Sequence, residues 1–358
     1  MCALQGQENM QIRLATDSDI SVWDTYVLKH PEGVAYQMFA WRDAVRKAYG
    51  FKAKYLLAEN VNGLCGILPL IDFRIPFVGT TFISLPYCDA GGVLADNEGV
   101  ARMLVDHARS LAARQGAGCQ IRSVEQLPYS GINRTDKVRM LLDLPNNAEQ
   151  MLAGLDAKVR NQVRKPVRDG LTVKLGTQEL VDDFYQVFAE NMRDLGSPVH
   201  SRQWIEAVVA AYGERCRVAV VRTPDNIPVA AGVVLIHPDT MSIPWASSLR
   251  RYNRLNPNML LYWIFLSLAI DSGCRRFDFG RSTPGEGTYR FKEQWGAAPR
   301  QLFWYDFAGN GQAAVASSDH DHSADNRSVR QRVAELWSRI PLAGATWAGP
   351  RIRKYIPL

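Results

Sequence analysis

The stretch Cys274–Gly296, CRRFDFGRSTPGEGTYRFKEQWG, decides how the chain is read. It opens as a strand from Arg275 to Phe279, with Phe277 and Phe279 on one face and Asp278 on the other. Gly280 is expected to end that strand. Pro284, Gly285 and Gly287 then form a loop in which backbone can approach a ligand closely. Aromatic and basic residues follow together, as Tyr289, Arg290, Phe291, Lys292 and Trp295. A lysine held between aromatic anchors can stabilise negative charge developing in a transition state, or pair with an anion. A decorated hairpin at a sheet edge accounts for the same residue types equally well. Asp278 can act as a base toward an amine, or partner Lys292 or an arginine. Tyr289 can position a carbonyl or fill the core.

Working outward, the second half of the chain repeats the first. In the first half, strand Met10–Leu14 precedes helix Ile20–Leu28, capped by Asp17, and helix Met38–Ala48, stopped at Gly50. Strands Tyr55–Ala58 and Leu64–Phe73 pair through the Asn62-Gly63 turn, and Phe77–Leu85 adds another. Helix Val100–Gln115 then leads into strand Cys119–Ser123. In the second half, helices Leu180–Leu195 and Ser201–Tyr212 precede strands Arg217–Arg222, Val229–His237 and Met241–Ser247. Helix Pro257–Ser272 leads into Arg275–Phe279. The segments AARQGAGCQIR (112–122) and LAIDSGCRRF (268–277) each end a helix, turn on glycine, place a cysteine and start a strand. The pattern predicts a duplicated α+β (mixed α/β) fold. The expected boundaries are 1–150, 151–308, a linker over 309–326 and a tail over 327–358.

Between the halves, LDAKVRNQVRKPVRDG (155–170) spaces Arg160, Arg164 and Arg168 by four, on one helix face, with Val159, Val163 and Val167 on a neighbouring one. Arginine forks suit phosphate oxygens, and a solvated amphipathic helix explains the spacing as well. Pro166 is expected to end or kink this helix near Lys165.

The motif residues Asp278, Phe279, Gly280, Gly287, Tyr289, Phe291, Lys292, Trp295 and Gly296 resemble the C-terminal signature of FemAB-like acyltransferases. Arg281-Ser282-Thr283 after the glycine is similar to the subgroup associated with exosortase (PEP-CTERM) and exopolysaccharide systems. The resemblance implies two tandem N-acetyltransferase-type (GNAT) domains, to which the sequence pattern adds a C-terminal helical basic tail. It implies transfer of an acyl or aminoacyl group to an amine of a cell-envelope or exopolysaccharide precursor, lipid-linked or nucleotide-linked. Lys292 would then steady the reacting carbonyl, and Arg160, Arg164 and Arg168 would face the acceptor's phosphates in a cleft between the domains. No bound cofactor is expected; the donor co-substrate is aminoacyl-tRNA or acyl-CoA. The segment 250–257, RRYNRLNP, lacks the glycine-rich loop with which simple GNAT enzymes hold the coenzyme A pyrophosphate. Its Arg254 could still grip phosphates. Trp245 lines the site or packs in the core. Tyr87 and Asp89, in the loop PYCDAGG, are further candidates for binding acceptor. Two rivals stand beside this reading, an acyl-CoA-dependent N-acyltransferase and a non-catalytic adaptor that binds an anionic glycan or membrane.

At 358 residues, 47% hydrophobic and 22% charged, the chain can bury two ordinary cores. Residues 327–358 carry seven basic residues and one acid, seven minus one being the chain's whole formal charge of +6. That distribution argues against a general nucleic-acid binder. The tail is a helix docked on the second domain, or an anchor at a membrane interface. No basic leader with an apolar run is visible, and the scattered cysteines suit a reduced core, so a cytoplasmic protein is expected, peripheral on the inner face of the plasma membrane if the tail is an anchor. His320 and His322 lie in SSDHDHSADN, which reads as a linker and not as a metal site.

Overall fold

The computed structural model describes residues 10–129, 133–134, 136–309 and 324–357. His320, His322 and all but the ends of the expected linker lie outside these. Residues up to Val138, with the segment from Arg300, form one compact unit; Arg139–Pro299 and the C-terminal tail form a second. The division differs from a cut at residue 150 because two strands lie in sheets other than those their sequence positions suggest. Val138–Asp143 joins the seven-stranded sheet of the second unit, next to Arg276–Ser282, whereas Phe303–Phe307 pairs antiparallel with Gly118–Ser123 in the first.

Each unit is built around the same crossover. In the first, Gly79–Ile83 runs parallel to Gly118–Ser123, and helix Glu98–Arg114 lies between them in sequence. In the second, Thr240–Ser248 runs parallel to Arg276–Ser282 after helix Pro257–Asp271. Parallel neighbours need such a crossover, because a tight turn can only reverse the chain. Each helix ends on a glycine in the left-handed region, Gly116 at φ 62° and Gly273 at φ 76°. The glycines account for the repeated sequence segment, since L side chains are strained there. The cysteine after each of them, Cys119 and Cys274, is free and buried. Burial pushes the Cys119 thiol up to about 12.

Several local expectations are corrected. Leu64–Phe73 is two strands, Gly63–Leu68 and Ile71–Ile75, in different sheets, because the chain changes sheet at Pro69-Leu70. Asp17 does not cap the first helix. It pairs with Arg42, and Asp19 stands at the N-cap of helix Ile20–Lys29 without capping it by its side chain, its carboxylate accepting instead from the Thr16 N–H at the start of the preceding 3-10 turn. Gly280 does not end its strand, which continues through Ser282 with Gly280 at φ 72°. The basic helix does not stop at Lys165 but runs Ala157–Arg168 through Pro166. Proline costs only its own N–H there, in the last turn. Asp169, Gly170 and Leu171 close the end on the carbonyls of Lys165, Val167 and Pro166. Of the three valines on one face, Val159 and Val163 are buried, whereas Val167 is 61% exposed.

The tail helices Ala324–Ser338 and Leu342–Arg353 pack on helix Val181–Asp194 of the second unit. Beneath the tail, His200 is buried with Trp204 and Trp245, its ring 6.1 and 6.2 Å from theirs. Burial, and secondarily Arg353, hold its pKa well below 6.5. The folded protein therefore keeps His200 neutral while the unfolded chain takes up a proton below 6.5. Stability is expected to be full above that pH and to fall as pH drops through it. Urea melts across that range should show the loss, and His200→Phe should flatten it. An unchanged slope in the variant would place the titration elsewhere.

Candidate active site

Strand Arg276–Ser282 is buried along Phe277, Asp278 and Phe279, as suits a strand covered on both faces. Asp278 is therefore a carboxylate inside a core, and its oxygens are engaged. Oδ2 accepts from Arg139 Nε at 2.8 Å, with the two side chains 7% and 4% exposed, and Oδ1 accepts the Gly280 N–H at 2.8 Å. The arginine that partners Asp278 thus comes from strand Val138–Asp143. The sequence reading passed over that strand, although Val138, Met140 and Leu142 alternate along one face of it.

After the turn at Pro284-Gly285, the residues from Gly287 to Glu293 form a helix. The hairpin alternative is corrected here: Phe291 and Trp295 stand four apart, a helical spacing. Their rings and that of Phe279 gather around Tyr262, at 4.9, 6.5 and 5.6 Å. Lys292, 7% exposed, turns back to the strand, where its ammonium donates to the carbonyls of Gly280 at 3.1 Å and Arg281 at 2.8 Å. The lysine thus fastens the signature helix to the end of the signature strand. Tyr289 is half-buried on the same helix.

A cavity of about 500 Å³ opens beside this helix, at the first turn of Pro257–Asp271. Three stretches picked out in the sequence meet there. The basic helix supplies Gln162, the arginine-asparagine segment supplies Asn253, Asn256 and Pro257, and the signature helix supplies Gly287, Arg290, Phe291 and Gln294. Asn256 sits in the left-handed region at φ 53° and Pro257 takes the first helical position, so the chain turns sharply into the helix. The cavity thereby receives the positive end of a 15-residue helix. Carboxamides dominate the polar lining, Arg290 is its one charged residue, and Gln162 Oε1 is buried with no hydrogen-bond partner. Such a lining offers donors to an anion or an oxyanion, and Gln162 Oε1 offers an acceptor to a ligand N–H or O–H.

The predicted residues are placed unevenly around this cavity. Arg160 donates to the carbonyls of Ala153 and Leu155, tying its helix to the preceding one, whereas Arg164 and Arg168 are exposed. Arg254 is exposed one residue after Asn253. Arg281 contributes its carbonyl to Lys292. Trp245 is buried and edge-on to Trp204, in the core. Tyr87 and Asp89 belong to the first unit, in a loop wrapped on the buried Arg122. That guanidinium donates to the carbonyls of Leu85 at 3.2 Å and Cys88 at 2.9 Å and lies 4.5 Å from the Trp304 ring. Leu85 and Tyr87 both hold positive φ, 66° and 68°, and Gly92 has no room for a Cβ, which would meet the Arg122 carbonyl oxygen at 2.6 Å. Among the described residues no group of three or more His, Cys, Asp or Glu is arranged to hold a metal, and no helix is long and apolar enough to cross a membrane.

Comparison with known proteins bears on the domain and the fold. Residues 157–293, from the basic helix to the end of the signature helix, match the acetyltransferase (GNAT) domain family. No curated protein matches the chain. Among solved structures, FemX aligns with a TM-score of 0.65 at 14% identity, over 90% of this chain and 100% of that one. L-PGS from Bacillus licheniformis aligns at 0.53 and 12% identity, over 89% and 97%. A tandem GNAT protein from the clavulanic acid biosynthesis pathway aligns at 0.52 and 13%, over 84% and 98%. Residues 157–293 thus match a GNAT acetyltransferase domain, and the chain as a whole shares the fold of tandem GNAT structures.

Proposed function

We propose that the protein passes an acyl or aminoacyl group to an amine of a cell-envelope or exopolysaccharide precursor, as in the exosortase-associated subgroup its signature resembles. The carrying observation is the cavity at the start of Pro257–Asp271, where the signature helix, the basic helix and the arginine-asparagine segment converge. The amine nitrogen attacks the donor carbonyl directly, the bond from that carbon to the carrier's oxygen or sulfur breaks, and the proton lost by nitrogen leaves with the carrier. Helix-end amides and Lys292 stabilise the oxyanion that forms in between. Tyr289 steadies the carbonyl, and Asp278, held by Arg139, keeps the strand end and Lys292 in register. Arg164 and Arg168, with Arg254 and Arg281, meet the phosphates of a lipid-linked or nucleotide-linked substrate. Arg160 sets the position of their helix. Trp245 supports the site from the core. The protein works on the inner face of the plasma membrane.

The donor is aminoacyl-tRNA or acyl-CoA, and one experiment separates them. Radiolabel is followed from a charged tRNA pool and, in parallel, from acetyl-CoA into lipid-linked precursors. Arg290→Ala serves as the variant, since Arg290 is exposed and lines the cavity. Label from one donor, reduced roughly tenfold or more in the variant, is the expected result; the loss of a charge-assisted contact of about 1.5–3 kcal/mol predicts that size. Transfer from either donor at an unchanged rate in Arg290→Ala would remove the cavity from the mechanism. An absence of label from both donors, with precursor still bound, would favour an adaptor.

A further inference from the structure

We infer that the tail has two faces with different partners: one is docked on the second unit and the other binds an anionic lipid bilayer. The proposal specifies how the protein reaches the membrane in the reading above, and rests on that reading only for its purpose.

The inner face is set by close packing. Gly196, at φ 72°, lies so near the tail helix that a Cβ there would meet the Ala334 carbonyl oxygen at 2.4 Å. On the last helix, Ala345 and Gly349 are buried four residues apart, and a Cβ on Gly349 would lie 3.0 Å from the Val199 backbone nitrogen. The helix period then dictates the rest. Trp347 and Arg351, offset by two residues from Ala345 and Gly349, fall about 200° around the helix, on its far side. Both are exposed, Trp347 by 66%, and the Arg351 guanidinium lies 4.4 Å from the indole centroid. Leu336 and Val333, on the preceding helix, are 65% and 57% exposed. Arg332 and Arg339 are exposed in the same tail.

Charge and side-chain type together select the occupant. The tail region carries the chain's entire net charge of +6, which calls for an anionic partner. A nucleic acid would take the arginines and the indole, but has no use for exposed leucine and valine. A bilayer surface takes all of them: aliphatic side chains at the acyl boundary, indole at the headgroup level and arginine on lipid phosphates.

The full-length protein is floated with vesicles of phosphatidylcholine alone or mixed with phosphatidylglycerol. Binding to the mixed vesicles only is expected. Arg339→Gln with Arg351→Gln should weaken it on the order of thirty-fold, from about a tenfold effect or less per cation near the surface. Vesicles with brominated acyl chains should quench tryptophan fluorescence in the wild type, and much less in Trp347→Phe, which keeps an apolar ring in place. Thermal melts of each variant matching the wild type confirm that the inner face is still docked. Equal flotation with both vesicle types, no flotation, unaltered quenching in Trp347→Phe, or loss of binding to tRNA in place of vesicles would each overturn the proposal. Label transfer to a water-soluble acceptor is read separately, so failure of the enzymatic reading is distinguishable from failure of this one.

Discussion

Arg139→Leu is expected to destabilise the second unit by about 3–5 kcal/mol, because it leaves the Asp278 carboxylate buried without its cation. The direction follows from burial. Two ions held at 2.8 Å in a core gain strongly from each other, yet each has given up its water. Removing one partner forfeits the attraction and keeps the other's desolvation cost. Asp278→Leu alone should be similarly damaging, because the guanidinium is then the stranded charge. The double variant Arg139→Leu/Asp278→Leu should recover much of the loss, since neither charge is left buried. Urea denaturation of the full chain, followed by a probe specific to the second unit, measures all three. Three equal losses would show that the strand needs the arginine for packing and not for charge.

This ion pair also shows where the sequence stopped being informative. Phe277, Asp278 and Phe279 alternate, so a strand with Asp278 off the aromatic face was legible from residue types. Its partner was not, because Arg139 is 139 residues away and enters by a strand that crosses the apparent boundary between the repeats. The duplication itself was readable from helix-glycine-cysteine-strand, for a backbone reason: only glycine turns each crossover helix cheaply into its parallel strand. The cavity was legible by segment and not by residue. Sequence reasoning looked for charges, and picked Arg160, Arg164 and Arg254. In those two segments the lining residues are instead Gln162, Asn253 and Asn256, within three residues of them. Neutral amides at such positions look like ordinary surface until the fold turns them inward. One signal was present, the asparagine-proline pair Asn256-Pro257 ahead of a long apolar helix, which marks a sharp entry to a helix N-terminus.

Lys292→Met is the other change with a large expected effect, and its kinetics separate two jobs the residue can hold. Removing the ammonium leaves two carbonyls, Gly280 and Arg281, without its donated hydrogen bonds, at about 1–3 kcal/mol for each one left unsatisfied. The signature helix then loosens from the strand, and Arg290 and Gln294, carried on and just after that helix, lose their place at the cavity wall. A loss of positioning raises KM together with a fall in kcat. A loss of oxyanion stabilisation lowers kcat by about 10²–10³ while KM stays near wild type. The proposed mechanism predicts the second pattern superimposed on a lower melting temperature. Lys292→Arg provides the control, since its guanidinium can still reach backbone carbonyls but spreads its charge differently. Recovery of stability without recovery of kcat would assign Lys292 to the chemistry. Recovery of both would leave any cation sufficient, and unchanged kcat in Lys292→Met would confine the residue to holding the helix on the strand.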